Sequence, residues 1–175
     1  TISTLGTGAI LLTSNRNIKL NSGSNLKTVN GGITLLANDL GLAAGDFIGV
    51  EADNATISTT GTGNILITGF GGADVVTSDH HGVFLHSGTT VSSTASGIDA
   101  GTITINGTAG EGINDNHGVM IDGAGTNITS TDGEIGITGT TDYGTGFAIS
   151  DQSKIVSNGA GVNAADITIL GTTTA

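Results

Sequence analysis

An Ile-x-Ile triplet, or a close equivalent, returns along this chain at nearly constant intervals, each time just before a Gly or polar turn. It appears as Ile33-Thr34-Leu35, Ile65-Leu66-Ile67, Ile103-Thr104-Ile105, Ile135-Gly136-Ile137 and Ile167-Thr168-Ile169, whose first residues lie 32, 38, 32 and 32 positions apart. Two further sets keep the same interval. One is Leu26, Ile57, Val91, Ile128 and Ile155, each flanked by polar residues. The other is Ile18-Lys19-Leu20, Phe47-Ile48-Gly49-Val50, Val83-Phe84-Leu85, Val119-Met120-Ile121 and Phe147-Ala148-Ile149. Each unit thus holds three short segments in which apolar and polar positions alternate, which is the signature of a strand. Gly, Asn, Asp, Ser and Thr between them supply turns, because they tolerate positive φ or close the chain with side-chain hydrogen bonds.

A unit of this size cannot bury its own apolar face, and stacking units does so. Coils about 4.8 Å apart give every strand a neighbour above and below, and parallel crossovers are right-handed in nearly all cases. The periodicity predicts an all-β, right-handed parallel β-helix (β-solenoid) of about five to six coils of three strands. The expected coils are 1–14 (partial), 15–44, 45–81, 82–117, 118–145 and 146–175. The ladder Ile65, Ile103, Ile135, Ile167 should face inward and be buried, beside Ile67, Ile105, Ile137 and Ile169. The whole of 1–175 reads as one solenoid region. It opens and closes inside the repeat pattern, as a piece of a longer repetitive protein would.

Composition agrees with thin aliphatic layers. Aromatic residues make up only 3% of the chain, so the core must be Ile, Val, Leu and Ala. Glycine reaches 31 residues without a G-X-Y period, which excludes collagen. The evenly spread Ile and Val argue against a flexible linker. Net charge is -11, and the only basic residues are Arg16, Lys19, Lys27 and Lys154. Clustered Lys and Arg are needed to neutralise phosphates, so no nucleic acid is expected as a partner, and anionic membrane surfaces are disfavoured too. Cysteine is absent, which removes disulfides and thiolate metal sites. No apolar run approaches the roughly 18 residues of a membrane span.

Units such as Gly118-Val119-Met120-Ile121-Asp122-Gly123, then Asn127-Ile128-Thr129, then Ile135-Gly136-Ile137-Thr138-Gly139 resemble the filamentous-haemagglutinin-type and autotransporter-type adhesin repeats. Those repeats form pectin-lyase-like right-handed β-helices in giant exported bacterial proteins. The resemblance implies a secreted or cell-surface location and a structural or adhesive role. The repeat itself describes packing and not function.

Four positions repeat at a turn. Asp79-His80-His81-Gly82-Val83 aligns with Asp115-Asn116-His117-Gly118-Val119. Equal positions stack in a solenoid, so His81 should lie over His117 and Asp79 over Asp115. Two imidazoles and two carboxylates together are a candidate divalent metal site, with solvated turn chemistry the plainer account. His86 aligns with Asp122 and Ser150 and reads as an exposed strand residue. Gly71-Gly72-Ala73-Asp74-Val75-Val76 is a single incomplete copy of a tandem calcium motif. Weak Ca2+ binding by turn aspartates is the other cation chemistry on offer, and no tightly held cofactor is expected. The outward rows Thr34, Leu66, Thr104, Gly136, Thr168 and Thr56/Ser58, Thr90/Ser92, Asn127/Thr129, Lys154/Val156 are too interrupted for an ice-ordering plane. If Val83 and Leu85 point inward, Phe84 points out, and the same register sends Phe47, Met120 and Ala148 outward. Exposed apolar rows mark contact surfaces, so Phe47, Phe84 and Met120 are the candidate partner-contact residues.

Right-handed β-helices also carry polysaccharide lyases and hydrolases. A hydrolase needs two carboxylates at a set separation, and a lyase needs a calcium-binding acid cluster with a basic residue. No adjacent acid pair occurs, and Tyr143 is the only Tyr or Trp able to stack a sugar. The expected function is therefore a non-catalytic stalk or contact module. Its partner would be another cell surface, a glycan or a protein, with neighbouring coils of the parent chain on either side. A carbohydrate-binding or polysaccharide-degrading β-helix is the alternative.

Overall fold

The computed structural model describes residues 1–162 and 164–174. The strands follow one another as β1 (Ile2–Ser3), β2 (Ile10–Ser14), β3 (Ile18–Leu20), β4 (Asn25–Thr28), β5 (Ile33–Ala37), β6 (Val50–Asp53), β7 (Thr56–Thr59), β8 (Ile65–Phe70) and β9 (Val83–His86). They continue as β10 (Thr90–Ser93), β11 (Ile103–Thr108), β12 (Val119–Ile121), β13 (Asn127–Ser130), β14 (Ile135–Thr141), β15 (Phe147–Ile149), β16 (Lys154–Ser157) and β17 (Ile167–Thr173). Every third strand pairs, always parallel. Sheet A is β1-β4-β7-β10-β13-β16, sheet B is β2-β5-β8-β11-β14-β17 and sheet C is β3-β6-β9-β12-β15. The chain is an all-β, right-handed parallel β-helix. Among the described residues there is no helix, so none is long and apolar enough to cross a membrane.

The inferred registers of sheets A and B hold along the rod. Ile33, Ile65, Ile103, Ile135 and Ile167 are consecutive partners in sheet B, as are Leu35, Ile67, Ile105, Ile137 and Ile169. Leu26, Ile57, Val91, Ile128 and Ile155 run the same way in sheet A. With Val50, Val83, Val119, Ala52, Leu85 and Ile121 from sheet C, the members of these rows as far as Ile128, Ile135 and Ile137 form one continuous aliphatic core, against which Ile155 packs. Burying each such side chain contributes about 2–3 kcal/mol. The last coil differs from expectation. Ile167 and Ile169 keep the register but are 41% and 42% exposed, because no further strand of this chain lies over β17.

Glycine has a defined place in this fold. Where sheet B ends and sheet C begins, Gly69, Gly107 and Gly139 of one face Gly82, Gly118 and Gly146 of the other. A Cβ on Gly107 would sit 1.9 Å from the Gly118 carbonyl oxygen, and one on Gly139 would sit 1.7 Å from that of Gly146. The two backbones touch along a seam that admits no side chain. This is why a chain so rich in glycine is ordered here rather than loose.

Candidate functional site at the corner between sheets B and C

The three corners of the coil are unequal. Sheet C passes to sheet A through short turns: 21–24, 54–55, 87–89, 122–126 and 150–153. Sheet B passes to sheet C through long loops in the three central coils: 38–49, 71–82 and 109–118. Such loops carry backbone groups that no ladder satisfies, so other groups must. Asn38 supplies some of them. Its Nδ2 donates to the Phe70 and Gly71 carbonyls, both at 3.4 Å, and its Oδ1 accepts from the Ala43 amide at 3.0 Å. His80 is fully buried and ties two loops together. Its backbone N–H donates to Asn116 Oδ1 at 2.9 Å, and its Nδ1 donates to the Glu111 carbonyl. Its Nε2 lies 2.8 Å from Thr77 Oγ1 and 3.3 Å from Asp46 Oδ1. The Asn116 carbonyl in turn accepts from the Thr141 hydroxyl at 2.6 Å.

His81 and His117 stack as their alignment implies. The amides of Gly49, Gly82 and Gly118 donate to the carbonyls of His81, His117 and Thr145, which places Ile48, His81, His117 and Thr145 in one row. The two rings lie 5.1 Å apart and 11° from parallel. The His117 amide donates to His81 Nδ1 at 3.1 Å, and the Thr145 amide donates to His117 Nδ1 at 3.3 Å. Each ring's Nδ1 is thus an acceptor, so a neutral ring carries its proton on Nε2. The His81 pKa is lowered from 6.5 to about 4, first by burial and then by the neighbouring charges of His117, His80 and His86.

That ring orientation bears on the metal reading. A metal-ligating imidazole offers one nitrogen lone pair and donates its other N–H to an acceptor. Here the second nitrogen meets a donor, and the outer nitrogen holds the proton. Asp79 Oδ1 is 4.0 Å from His81 Nε2. Asp79 and Asp115 both adopt left-handed backbone, with φ of 67° and 52°. Asp79, His81, Asp115 and His117 line one depression. The rings stack as anticipated, and each accepts a hydrogen bond at Nδ1 from a backbone amide of the next coil. The partial calcium motif forms a local turn, with Asp74 Oδ1 accepting from the Val76 amide at 3.0 Å.

Phe84 and Met120 line the same depression, with Ile48. The candidate contact row and the candidate metal cluster are therefore one surface. Phe84 meets the edge of His81 at 5.1 Å and stacks on His86 at 4.2 Å. His86 also lies 3.3 Å from Glu51, which pairs with Lys19 at 2.8 Å.

Phe47 does not belong to this row. Phe84 pairs with Glu51, so the outward row of sheet C is Lys19, Glu51, Phe84, Met120, Ala148. Phe47 is only 8% exposed, two residues before Gly49 as His80 is before Gly82, and the Arg16 guanidinium lies 4.8 Å over its ring. Phe47-Ile48-Gly49-Val50 alternates like a strand, but β6 begins only at Val50.

Three further features of this corner emerge only in the folded chain. His80 and Asn116 are interior struts. Leu40, Leu42, Val75, Val76, Ile113 and Tyr143 all stand exposed at this one corner. The shared Gly in Ile48-Gly49, His81-Gly82, His117-Gly118 and Thr145-Gly146 was the available signal for the true register. The chain matches no protein-family model, no curated protein and no solved structure. Its fold defines it as a right-handed parallel β-helix.

Proposed function

We propose that the chain is a non-catalytic structural and adhesive module of a large exported bacterial surface protein, located outside the cell. In this reading it is a rigid rod that meets another cell surface, a glycan or a protein through its side, while its ends continue into neighbouring coils. The observation that carries the reading is the asymmetry of the coil: an unbroken aliphatic core and one corner, between sheets B and C, where apolar side chains face solvent on consecutive coils. A solvent-facing apolar row is what a contact surface requires.

The test is adhesion without turnover. Beads coated with the purified chain should retain cells above beads coated with an unrelated acidic protein, and acidic polysaccharides incubated with it should be recovered intact. Steady release of reducing or unsaturated ends, lost when one carboxylate is substituted, would overturn the reading.

A further inference from the structure

We infer that the corner between sheets B and C is a preorganised docking surface for a cationic polypeptide segment that carries apolar side chains. The inference rests on the contact-module reading above and gives that contact a chemistry. Its first support is position. Leu40 and Leu42 stand on one loop, Val75 and Val76 on the next, Ile113 on the third and Tyr143 on the turn of the fourth coil. Leu42 is 80% exposed and Val76 72%. The corner between sheets C and A, by contrast, presents no exposed large apolar residue among the described residues, and the corner between sheets A and B presents Leu5, Ile98 and Val162 on coils that are not neighbours.

The second support is charge. Each long loop carries two carboxylates: Asp39 and Asp46, Asp74 and Asp79, Glu111 and Asp115. Among the described residues none of them forms an ion pair with a Lys or Arg, and only Asp46 and Asp79 lie near a basic ring, those of His80 and His81. Lys19 is paired with Glu51, Arg16 lies over Phe47, and Lys27 and Lys154 belong to sheet A. A strip that is both acidic and apolar is complementary to a segment bearing Lys or Arg together with Leu, Ile or Val. Like charges would repel an acidic partner, and unpaired carboxylates would resist burial under a neutral one.

The third support is rigidity. The His80 and Asn116 hydrogen bonds join loops 71–82 and 109–118, the Gly110 amide donates to the His80 carbonyl at 2.8 Å, and the Ile113 amide donates to the Thr77 carbonyl at 3.0 Å. Loops ordered beforehand lose less entropy on binding. The two central loops are thereby held together, and the four coils that carry the apolar residues span about 14 Å from first to last. An extended segment of about five residues spans it, so a peptide of about ten residues covers it with residues to spare.

The experiment is fluorescence anisotropy with three labelled peptides of about ten residues: alternating Lys and Leu, all Lys, and alternating Glu and Leu. The Lys/Leu peptide should bind, more weakly as salt rises. The all-Lys peptide should bind about tenfold more weakly and the Glu/Leu peptide not at all. A variant carrying Leu40→Ser, Leu42→Ser, Val75→Ser and Val76→Ser should lose about tenfold or more in affinity while its circular dichroism spectrum and melting stay unchanged. Equal binding of the Lys/Leu and all-Lys peptides would reduce the corner to a polyanion and overturn the inference, as would an undiminished serine variant. If coated beads hold cells or neutral glycans while no peptide binds, the docking chemistry fails and the adhesive reading stands. If the peptides bind but beads retain nothing, the docking inference stands and adhesion fails.

Discussion

The two corners that flank sheet C share one core and differ in everything else. Between sheets C and A the chain turns within a few residues and shows no large apolar group to solvent. Between sheets B and C it makes long excursions stitched by buried His80, Asn116 and Asn38. The difference teaches that the ladders alone set the coil. Loop-closure entropy grows slowly with loop length, so one corner can lengthen without loosening the core, provided that its backbone groups are satisfied. Identity of fold therefore resides in the sheets, and individuality in the corners that carry long loops.

That division can be broken most severely from the core both corners share. Ile135 is 1% exposed, and Ile135→Asp should cost about 5 kcal/mol or more by burying an unpaired charge and opening a cavity. Melting like the wild type would show that the ladder does not hold both corners.

Next comes the glycine seam at the elaborate corner. Gly139→Ala places a Cβ against backbone and should cost about 3 kcal/mol. Gly136→Ala, three residues earlier in β14 and with open space around its Cβ, should be neutral or slightly stabilising. Equal urea midpoints for the two would refute the seam.

Acid should then discriminate between the corners. Below pH 6.5 the unfolded chain protonates His81, whereas the folded chain does so only near pH 4. The stability present above pH 6.5 is therefore lost as pH falls through that window, by on the order of 3 kcal/mol in total. In His81→Gln the loss across that window should flatten. Parallel pH curves for the two proteins would remove the imidazole stack from the account.

The smallest effect is expected for His80→Ala, about 2 kcal/mol. Its signature is local. Hydrogen exchange should quicken at the Gly110 and Ile113 amides and stay slow in sheet A. Uniform acceleration would mean that the loops are part of the common cooperative core.

The ladders were legible because alternation, β-branched residues and a fixed interval all report the same stacking. Ile65, Ile103 and Ile135 have few other environments available to them. The loops carry no such redundancy. Phe47 looks like a strand residue by its neighbours, and only the Gly two positions later, shared with His81-Gly82 and His117-Gly118, sets the register. Alignment placed His81 over His117, but the direction of the rings depends on which backbone amide reaches Nδ1, and no residue pattern encodes that. His80 resembles any surface turn histidine in sequence, because its burial comes from the length of the flanking loops. The meeting of Phe84 and Met120 with His81 and His117 required the corner to be built in three dimensions.

The parallel pairing of every third strand has a mechanical consequence. Inter-strand hydrogen bonds run along the rod, so a pull on its two ends would load them lengthwise, one coil after another. Coils would peel singly from whichever end of the stack is uncovered. Each release would free on the order of 100 Å of chain. Under tension such a rod would behave as a ratcheted tether, lengthening in steps while the coils still stacked kept their shape.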